Sequence, residues 1–257
     1  TKKNLGDALN ASDRKKIGDN LNGYDISPDM VKMSLVNMYL HKFTNPKINE
    51  YDTLSSEDKW NEYYDVILAN PPFFSPKGGI IPHNRFAVKS SRSEILFIDY
   101  IIQHLKPNGR AGIIVPEGVI YQKGNVYKQL RKNLITGSLI GIISLPAGVF
   151  NPYSNGKTSI LFLDKNPKMN TNDIFFIEVK NDGFDLGSNR KKIKKNDLPE
   201  ILDNLSNNNN FKNYSKISKS QILKDENIIL IPKKETIVNN SKYELKEIGE
   251  FISIQSG

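Results

Sequence analysis

The chain contains no cysteine, a single tryptophan and only three histidines in its 257 residues. Without thiols, disulfides, thiolate metal sites and cysteine nucleophiles are excluded. His41, His83 and His104 lie far apart with no ligand spacing, so each reads as an ordinary surface or satisfied side chain. No apolar run approaches the ~20 residues that a bilayer crossing needs. No signal-peptide pattern is present either, so a soluble, cytoplasmic protein with no membrane partner is expected. The first 20 residues also lack something. They are polar and basic, with no apolar strand; Gly6 and Gly18 stand alone rather than in a glycine-rich loop.

What is present suits a sizeable core, since 38% of the residues are hydrophobic. The net charge of +8 and pI near 9.3 favour a polyanionic partner such as nucleic acid. A general richness in Lys, Asn and Ile weakens that signal, because it raises the charge without reference to any site.

The stretch that organises the rest is Asp65-Val66-Ile67-Leu68-Ala69-Asn70-Pro71-Pro72-Phe73. Its apolar run reads as a strand buried on both faces, as in a parallel sheet. It stops at two prolines, which remove two backbone donors and hold Asn70 and Pro71 extended. The result is a rigid strand tip bearing an amide, bare carbonyls and an aromatic ring. Ligands of open α/β sheets bind at that edge.

These groups suit methylation of an exocyclic amino group on a planar ring. The lone pair of such a nitrogen is delocalised into the ring, so it is a poor nucleophile. Two acceptors, the Asn70 amide oxygen and the Pro71 carbonyl, would draw the nitrogen toward tetrahedral geometry, and Phe73 would stack on the ring. Base–aromatic stacking is worth about 1–3 kcal/mol, which offsets much of the cost of flipping a base, about a few kcal/mol. Positioning then carries most of the catalysis. An Asn-Pro turn that merely ends a strand is the plainer alternative.

Along the chain, Leu21 to Ile26 reads as a short strand, with Ser27 and Pro28 opening a helix to about His41. An acidic residue ending a strand before a helix is placed to bind ribose hydroxyls. Asp25 is the candidate, with Ile26 against an adenine; simple helix capping is the alternative. A weaker strand from Lys47 to Thr53 ends at Tyr51-Asp52-Thr53; Asp52 is a candidate for the adenine's amino group, an ordinary loop aspartate being the alternative. The long loop from Ser75 to Ser93 carries Lys77, Arg85 and Arg92, which suit phosphate contacts as well as they suit a solvated loop. Beyond it, apolar runs at 111–115, 139–145, 158–163 and 174–179 alternate with helical stripes at 95–105 and 126–134. Such alternation predicts an α/β fold, a doubly wound and mostly parallel sheet. The last two runs have no helix between them, so an antiparallel edge is expected there.

The tetrapeptide Asn70-Pro71-Pro72-Phe73 resembles the catalytic motif of S-adenosylmethionine-dependent amino-group methyltransferases. The ordered set Gly23-Tyr24-Asp25-Ile26, Asp52-Thr53-Leu54, Asn70 to Phe73, Val115-Pro116-Glu117-Gly118, Leu145 to Phe150 and Thr158 to Phe162 extends the likeness over about residues 21–165. It resembles the DNA adenine-N6 methyltransferases, specifically the modification subunits of type I restriction-modification systems and their fused relatives. The resemblance implies a Rossmann-like fold and S-adenosylmethionine as cofactor. It implies Asn70, Pro71, Pro72 and Phe73 as the catalytic set that holds a flipped adenine. Asp25, Ile26, Asp52 and Asn70 would bind the cofactor. Double-stranded DNA and a specificity subunit or fused specificity domain are the implied partners; a restriction subunit is left open.

The glycine-rich cofactor loop that the family carries upstream of Asp25 is not found. The sheet is therefore expected to be incomplete at its N-terminal side, with the flanks of the missing strand's neighbours exposed. Residues 1–180 read as a partial catalytic domain and 181–241 as a helical and linker extension, with the basic run Arg190 to Lys195. Residues 242–257 resemble the start of a target-recognition domain. Two other readings stay open: an RNA or protein-glutamine amino-methyltransferase, and a non-catalytic DNA-docking scaffold.

Overall fold

The computed structural model describes residues 9–232, apart from Phe74, Pro76, Asn170 and 208–212. The segment from 242 onward lies outside the described residues. Helix α1 (Ala11–Asn20) occupies the polar N-terminal region; the Asn10 side chain caps it by accepting the Asp13 N–H, and it buries no residue. Strand β1 (Asn22–Asp25) runs parallel to β2 (Lys47–Glu50). Between them α2 (Pro28–Leu40) starts where expected: Ser27 accepts the Met30 N–H and Pro28 fills the first turn, where its missing donor is not needed.

The main sheet has six strands in the order β10-β7-β5-β6-β4-β3. They are β3 (Tyr64–Ala69), β4 (Leu105–Pro116), β5 (Leu139–Ser144), β6 (Thr158–Asp164), β7 (Asp173–Glu178) and β10 (Tyr214–Ser218). Strands β3, β4, β5 and β7 share one direction, while β6 and β10 run against it. The expected antiparallel edge is present, and β10 forms it. Its placement at the last two apolar runs needs correction, because β6 inserts between β4 and β5 and β7 pairs parallel with β5. The loop from Asp164 to Asp173 is long enough to carry the chain past β5, so direct sequence neighbours are not sheet neighbours.

One face of this sheet is covered by α3 (Ser93–His104), α4 (Glu117–Tyr121), α5 (Asn125–Gly137) and α7 (Lys219–Leu223). Ile95, Ile98, Leu130 and Leu134 from the helices meet Ile113, Val115 and Leu161 from the strands, all essentially inaccessible. Each such side chain contributes about 1.5–3 kcal/mol of burial. The other face is covered at the β7 side, where Ile201 of α6 (Leu198–Asn207) packs on Ile143 and Ile177. Gly141 on β5 permits this: a Cβ there would lie 2.0 Å from the Phe175 ring.

The segment after 181 returns to the sheet. A hairpin of β8 (Asp182–Phe184) and β9 (Lys192–Asn196) puts every residue of β9 in solvent, and Arg190 is tied to Asp182. Strand β10 then pairs with β7, and Ile228 and Leu230 enter the main core.

The organising strand β3 differs from expectation in one respect. It is not buried on both faces. Ile67 and Ala69 pack on the core, but Val66 is 56% exposed and Leu68 82%. Strand β3 ends the six-stranded sheet, and β1 has β2 as its partner in a separate sheet. Among the described residues, therefore, no strand covers the free flank of β3.

Candidate active site

Strand β3 delivers Asn70 to the carboxyl edge of the sheet. Asn70 and Pro72 are exposed, Pro71 is buried and Phe73 is half-buried. Among the described residues, the Asn70 amide and the Pro71 carbonyl find no hydrogen-bond partner, so both acceptors are available. The next carbonyl is not: Pro72 accepts a hydrogen bond from Ser93 Oγ at 3.3 Å, and the Ser93 N–H donates to Ser75 Oγ at 2.8 Å. These bonds fasten the turn after the motif to the start of α3, which is itself buried against the core.

A cavity of about 590 Å³ opens beside Phe73. Its walls come from the carboxyl end of β4 (Pro116, Glu117), the amino end of antiparallel β6 (Thr158) and the preceding Lys157. The Phe150 ring, from the turn after β5, meets Phe73 edge-on at 5.9 Å between centroids. Glu117 is held by its own N–H, which donates to the Lys157 carbonyl at 3.1 Å. Its carboxyl Oε1 lies 3.7 Å from Lys157 Nζ, while Oε2 is buried without a partner. Burial pushes the Glu117 carboxyl above the usual range, and the Lys157 charge only partly opposes this. A perturbed carboxyl in a cleft is a mark of a functional site.

The residues named for the cofactor sit on the smaller sheet. Asp25 ends β1, with its Oδ1 accepting the Ser27 N–H at 2.8 Å, and Ile26 beside it is 65% exposed. Asp52 follows β2; the Tyr51 N–H donates to the Asp25 carbonyl at 3.0 Å, which fixes the two tips side by side. Asp52 Oδ1 accepts from the N–H groups of Leu54 and Ser55. Burial raises the Asp52 carboxyl, but hydrogen bonds from Ser55 and Leu54 outweigh it and leave it below its ordinary value. Two acidic acceptors and an exposed apolar side chain at adjoining strand tips fit the adenosine half of S-adenosylmethionine. No glycine-rich turn stands among the described residues to meet its other half.

The two sheets are joined by Tyr24, whose hydroxyl donates to Glu62 at 2.6 Å and accepts from Tyr64 at 3.4 Å. These bonds reach the start of β3 rather than its tip. The structure therefore groups Asp25, Ile26 and Asp52 in one place and Asn70, Pro71 and Phe73 in another.

Of the basic residues named for DNA, Lys77 is exposed beside Gly78, whose φ of +88° suits the turn. Arg85 donates to Asn61 at 3.0 Å and lies over the Trp60 ring. Arg92 donates to the Tyr127 hydroxyl at 3.2 Å, and that hydroxyl donates to the buried Glu94. The two arginines are thus already engaged within the chain.

Glu117, Phe150 and Thr158 fall in segments the sequence singles out, though not as site residues, and Lys157 falls in none of them. The available signal was position. Glu117, Lys157 and Thr158 lie at or next to an end of an apolar strand and Phe150 in the turn after one, and with β6 reversed its first residue reaches the same edge as the last residues of β4 and β5.

An α/β sheet with one reversed strand inside it, and an Asn-Pro-Pro-Phe tip at its carboxyl edge, make this a Rossmann-like domain. The model of the N-6 DNA Methylase family matches residues 4–243, and the chain belongs to that family. Its relatives include the type I restriction enzyme EcoEI methylase subunit of Escherichia coli, 37% identical over 147 residues, 55% of this chain and 29% of the relative. The EcoKI methylase subunit of Escherichia coli K12 is 30% identical over 156 residues, 58% of this chain and 29% of that protein. Among solved structures, a type I restriction-modification methyltransferase subunit from Streptococcus thermophilus superposes with a TM-score of 0.65 at 25% identity. That match covers 82% of this chain and 47% of the other. The chain thus spans less than a third of the length of these two curated relatives.

Among the described residues no helix is long and apolar enough to cross a membrane.

Proposed function

We propose that this chain carries the catalytic region of a site-specific DNA methyltransferase, which moves a methyl group from S-adenosylmethionine to the N6 of a flipped adenine. The carrying observation is the strand tip: two free acceptors, the Asn70 amide and the Pro71 carbonyl, beside a cavity walled by Phe73. The exocyclic amino group would donate one N–H to each acceptor, leaving its lone pair turned away from both. Phe73 would stack on the ring and hold it in place. When bound, S-adenosylmethionine supplies an electrophilic methyl carbon on a sulfonium sulfur. Asp25 and Asp52 would hold its ribose and adenine, with Ile26 on the adenine face and Asn70 near the methyl group. Asn70 and Pro71 would hold the N6 nitrogen toward that methyl carbon, and the N6 proton displaced by methylation would leave to solvent. No proton-abstracting side chain is needed before attack.

Family membership and the named relatives support this reading, as does the net charge of +8. By the same reading the enzyme belongs to a cytoplasmic restriction-modification system and works with a specificity subunit or a fused specificity domain. Residues 242–257 are proposed as the opening of that domain. Residues 1–180 are proposed as the catalytic domain and 181–241 as its extension, with Lys77, Arg85 and Arg92 facing DNA phosphates.

The test is methyl transfer to double-stranded DNA by the full-length polypeptide in its assembled enzyme. Asn70→Ala should abolish N6-methyladenine formation while leaving cofactor binding largely intact. Unchanged methylation in that variant would overturn the assignment.

A further inference from the structure

Three polar groups converge on the cavity beside Phe73 without a task in the reaction as derived. Thr158 is only 1% exposed, lines the cavity, and its Oγ1 has no partner. Glu117, with a side chain 16% exposed, leaves Oε2 buried and unpartnered in the same wall. Lys157 stands between them in sequence and space, its ammonium 3.7 Å from Glu117 Oε1. Buried polar atoms without partners are uncommon in folded proteins and costly to leave unmade. Two in one wall of an open cavity point to a ligand that completes them.

The chemistry of that ligand follows from which groups are already taken. With both N6 hydrogens directed to Asn70 and Pro71, an adenine on Phe73 has only N1, N3 and N7 left to pair, and all three are acceptors. The wall must therefore donate. Thr158 has a hydroxyl proton, and a carboxylic acid has one as well. We propose that Glu117 and Thr158 form the recognition wall for the flipped base, the Thr158 hydroxyl and the Glu117 carboxyl meeting adenine ring nitrogens. This rests on the adenine-methyltransferase reading above.

The surroundings shift Glu117 in the direction of the acid form. Burial already raises the Glu117 carboxyl, and a base closing the cavity removes more water from it. The charged or titratable groups that face it are Lys157 from the segment before β6 and Tyr121 at the end of α4. Lys157 opposes protonation, but its side chain is 45% exposed and its charge is screened by solvent.

The experiment uses the assembled full-length enzyme and duplexes with 2-aminopurine, adenine or a deaza-adenine at the target position. Glu117→Ala should lower base capture and raise KM for DNA about tenfold, the value of one lost hydrogen bond of about 1.4 kcal/mol, with cofactor affinity unchanged. Thr158→Val should act in the same direction. Glu117→Gln, whose amide donates at any pH, should restore capture. Wild-type capture should tighten as pH falls through the raised Glu117 value, and the Gln variant should lose that dependence. One of the 1-, 3- or 7-deaza substrates should cost wild type as much as Glu117→Ala does and cost the Ala variant nothing further. Wild-type capture in Glu117→Ala, or an unrestored Glu117→Gln of normal thermal stability, would overturn the wall. Absence of N6-methyladenine from the wild-type reaction would instead sink the underlying reading.

Discussion

The ring of Phe73 meets the ring of Phe150 edge-on, 5.9 Å between centroids and 74° between planes. One follows β3 and the other follows β5, with β4 and β6 between those strands in the sheet. The two turns therefore lean toward each other across the carboxyl edge. A base that stacks on Phe73 is bounded at its side by Phe150. Phe73→Ala should weaken capture of a 2-aminopurine target by about 1–3 kcal/mol, the worth of one base–aromatic stack. Phe150→Ala should cost less, because an edge contact is lost rather than a stack. Fluorescence titration of the labelled duplex measures both, and equal, negligible effects would remove the aromatic pair from base binding.

The open flank of β3 gives a second expectation. Val66 and Leu68 face solvent beside Arg110 and Gly112 of β4. In the 257-residue chain, Leu68→Lys should change stability by no more than about 0.5 kcal/mol, and it should reduce self-association along the unpaired edge. Denaturation midpoints and size-exclusion profiles of wild type and variant decide it.

How far the sequence disclosed these features depended on their range. The Ser27-Pro28 start of α2 is local chemistry, and the structure places it where the residues put it. The Asn70 tip was legible for the same reason: two prolines dictate a strand end whatever surrounds them. Burial of β3 was not local. Four apolar residues in a row describe what a strand is suited to meet, and nothing in the run told that the Val66–Leu68 side would lack a covering layer. The position of β6 was likewise a matter of topology, invisible in the run's own pattern. Glu117 escaped notice because a lone glutamate after Val115-Pro116 gains meaning only beside Thr158, which lies on another strand.

His104 provides a pH test. It is fully buried, stacked on Tyr100 at 3.6 Å, with Nδ1 2.7 Å from the Tyr100 carbonyl oxygen. Burial holds it below the ordinary histidine value of 6.5, even though its hydrogen bonds pull the other way. The unfolded chain therefore binds a proton near pH 6.5 that the folded chain refuses. Stability should be level above that point and fall as pH drops below it, by at most about 1.4 kcal/mol per pH unit. His104→Phe should flatten this slope. Trp60, the only tryptophan, sits 4.8 Å from the His104 ring and reports unfolding by its fluorescence. An unchanged slope in the variant would place the titration elsewhere.

Arg131 links the core to the cavity. It is completely buried on α5 and donates to three carbonyls: Val119 at 3.0 Å, Gln122 at 2.9 Å and Asn227 at 2.9 Å. The first two belong to α4 and its C-cap, the helix whose first residue is Glu117; the third holds the irregular segment that leads through Leu230 to Ile231 on the cavity wall. Burial lowers its affinity for the proton, yet a guanidinium stays charged at any ordinary pH. Arg131→Leu keeps the volume roughly apolar and strands three buried acceptors. Each costs about 1–3 kcal/mol, so a loss of at least ~3 kcal/mol is expected. Arg131→Lys, with one point charge in place of a planar fork, should recover only part of it. Because α4 and the 227–231 segment lose their common anchor, base capture should decline in the surviving folded fraction of the Lys variant as well. Stability measured by denaturant and capture measured with 2-aminopurine should therefore fall together, and a stable Arg131→Leu protein with normal capture would show that these carbonyls find other partners.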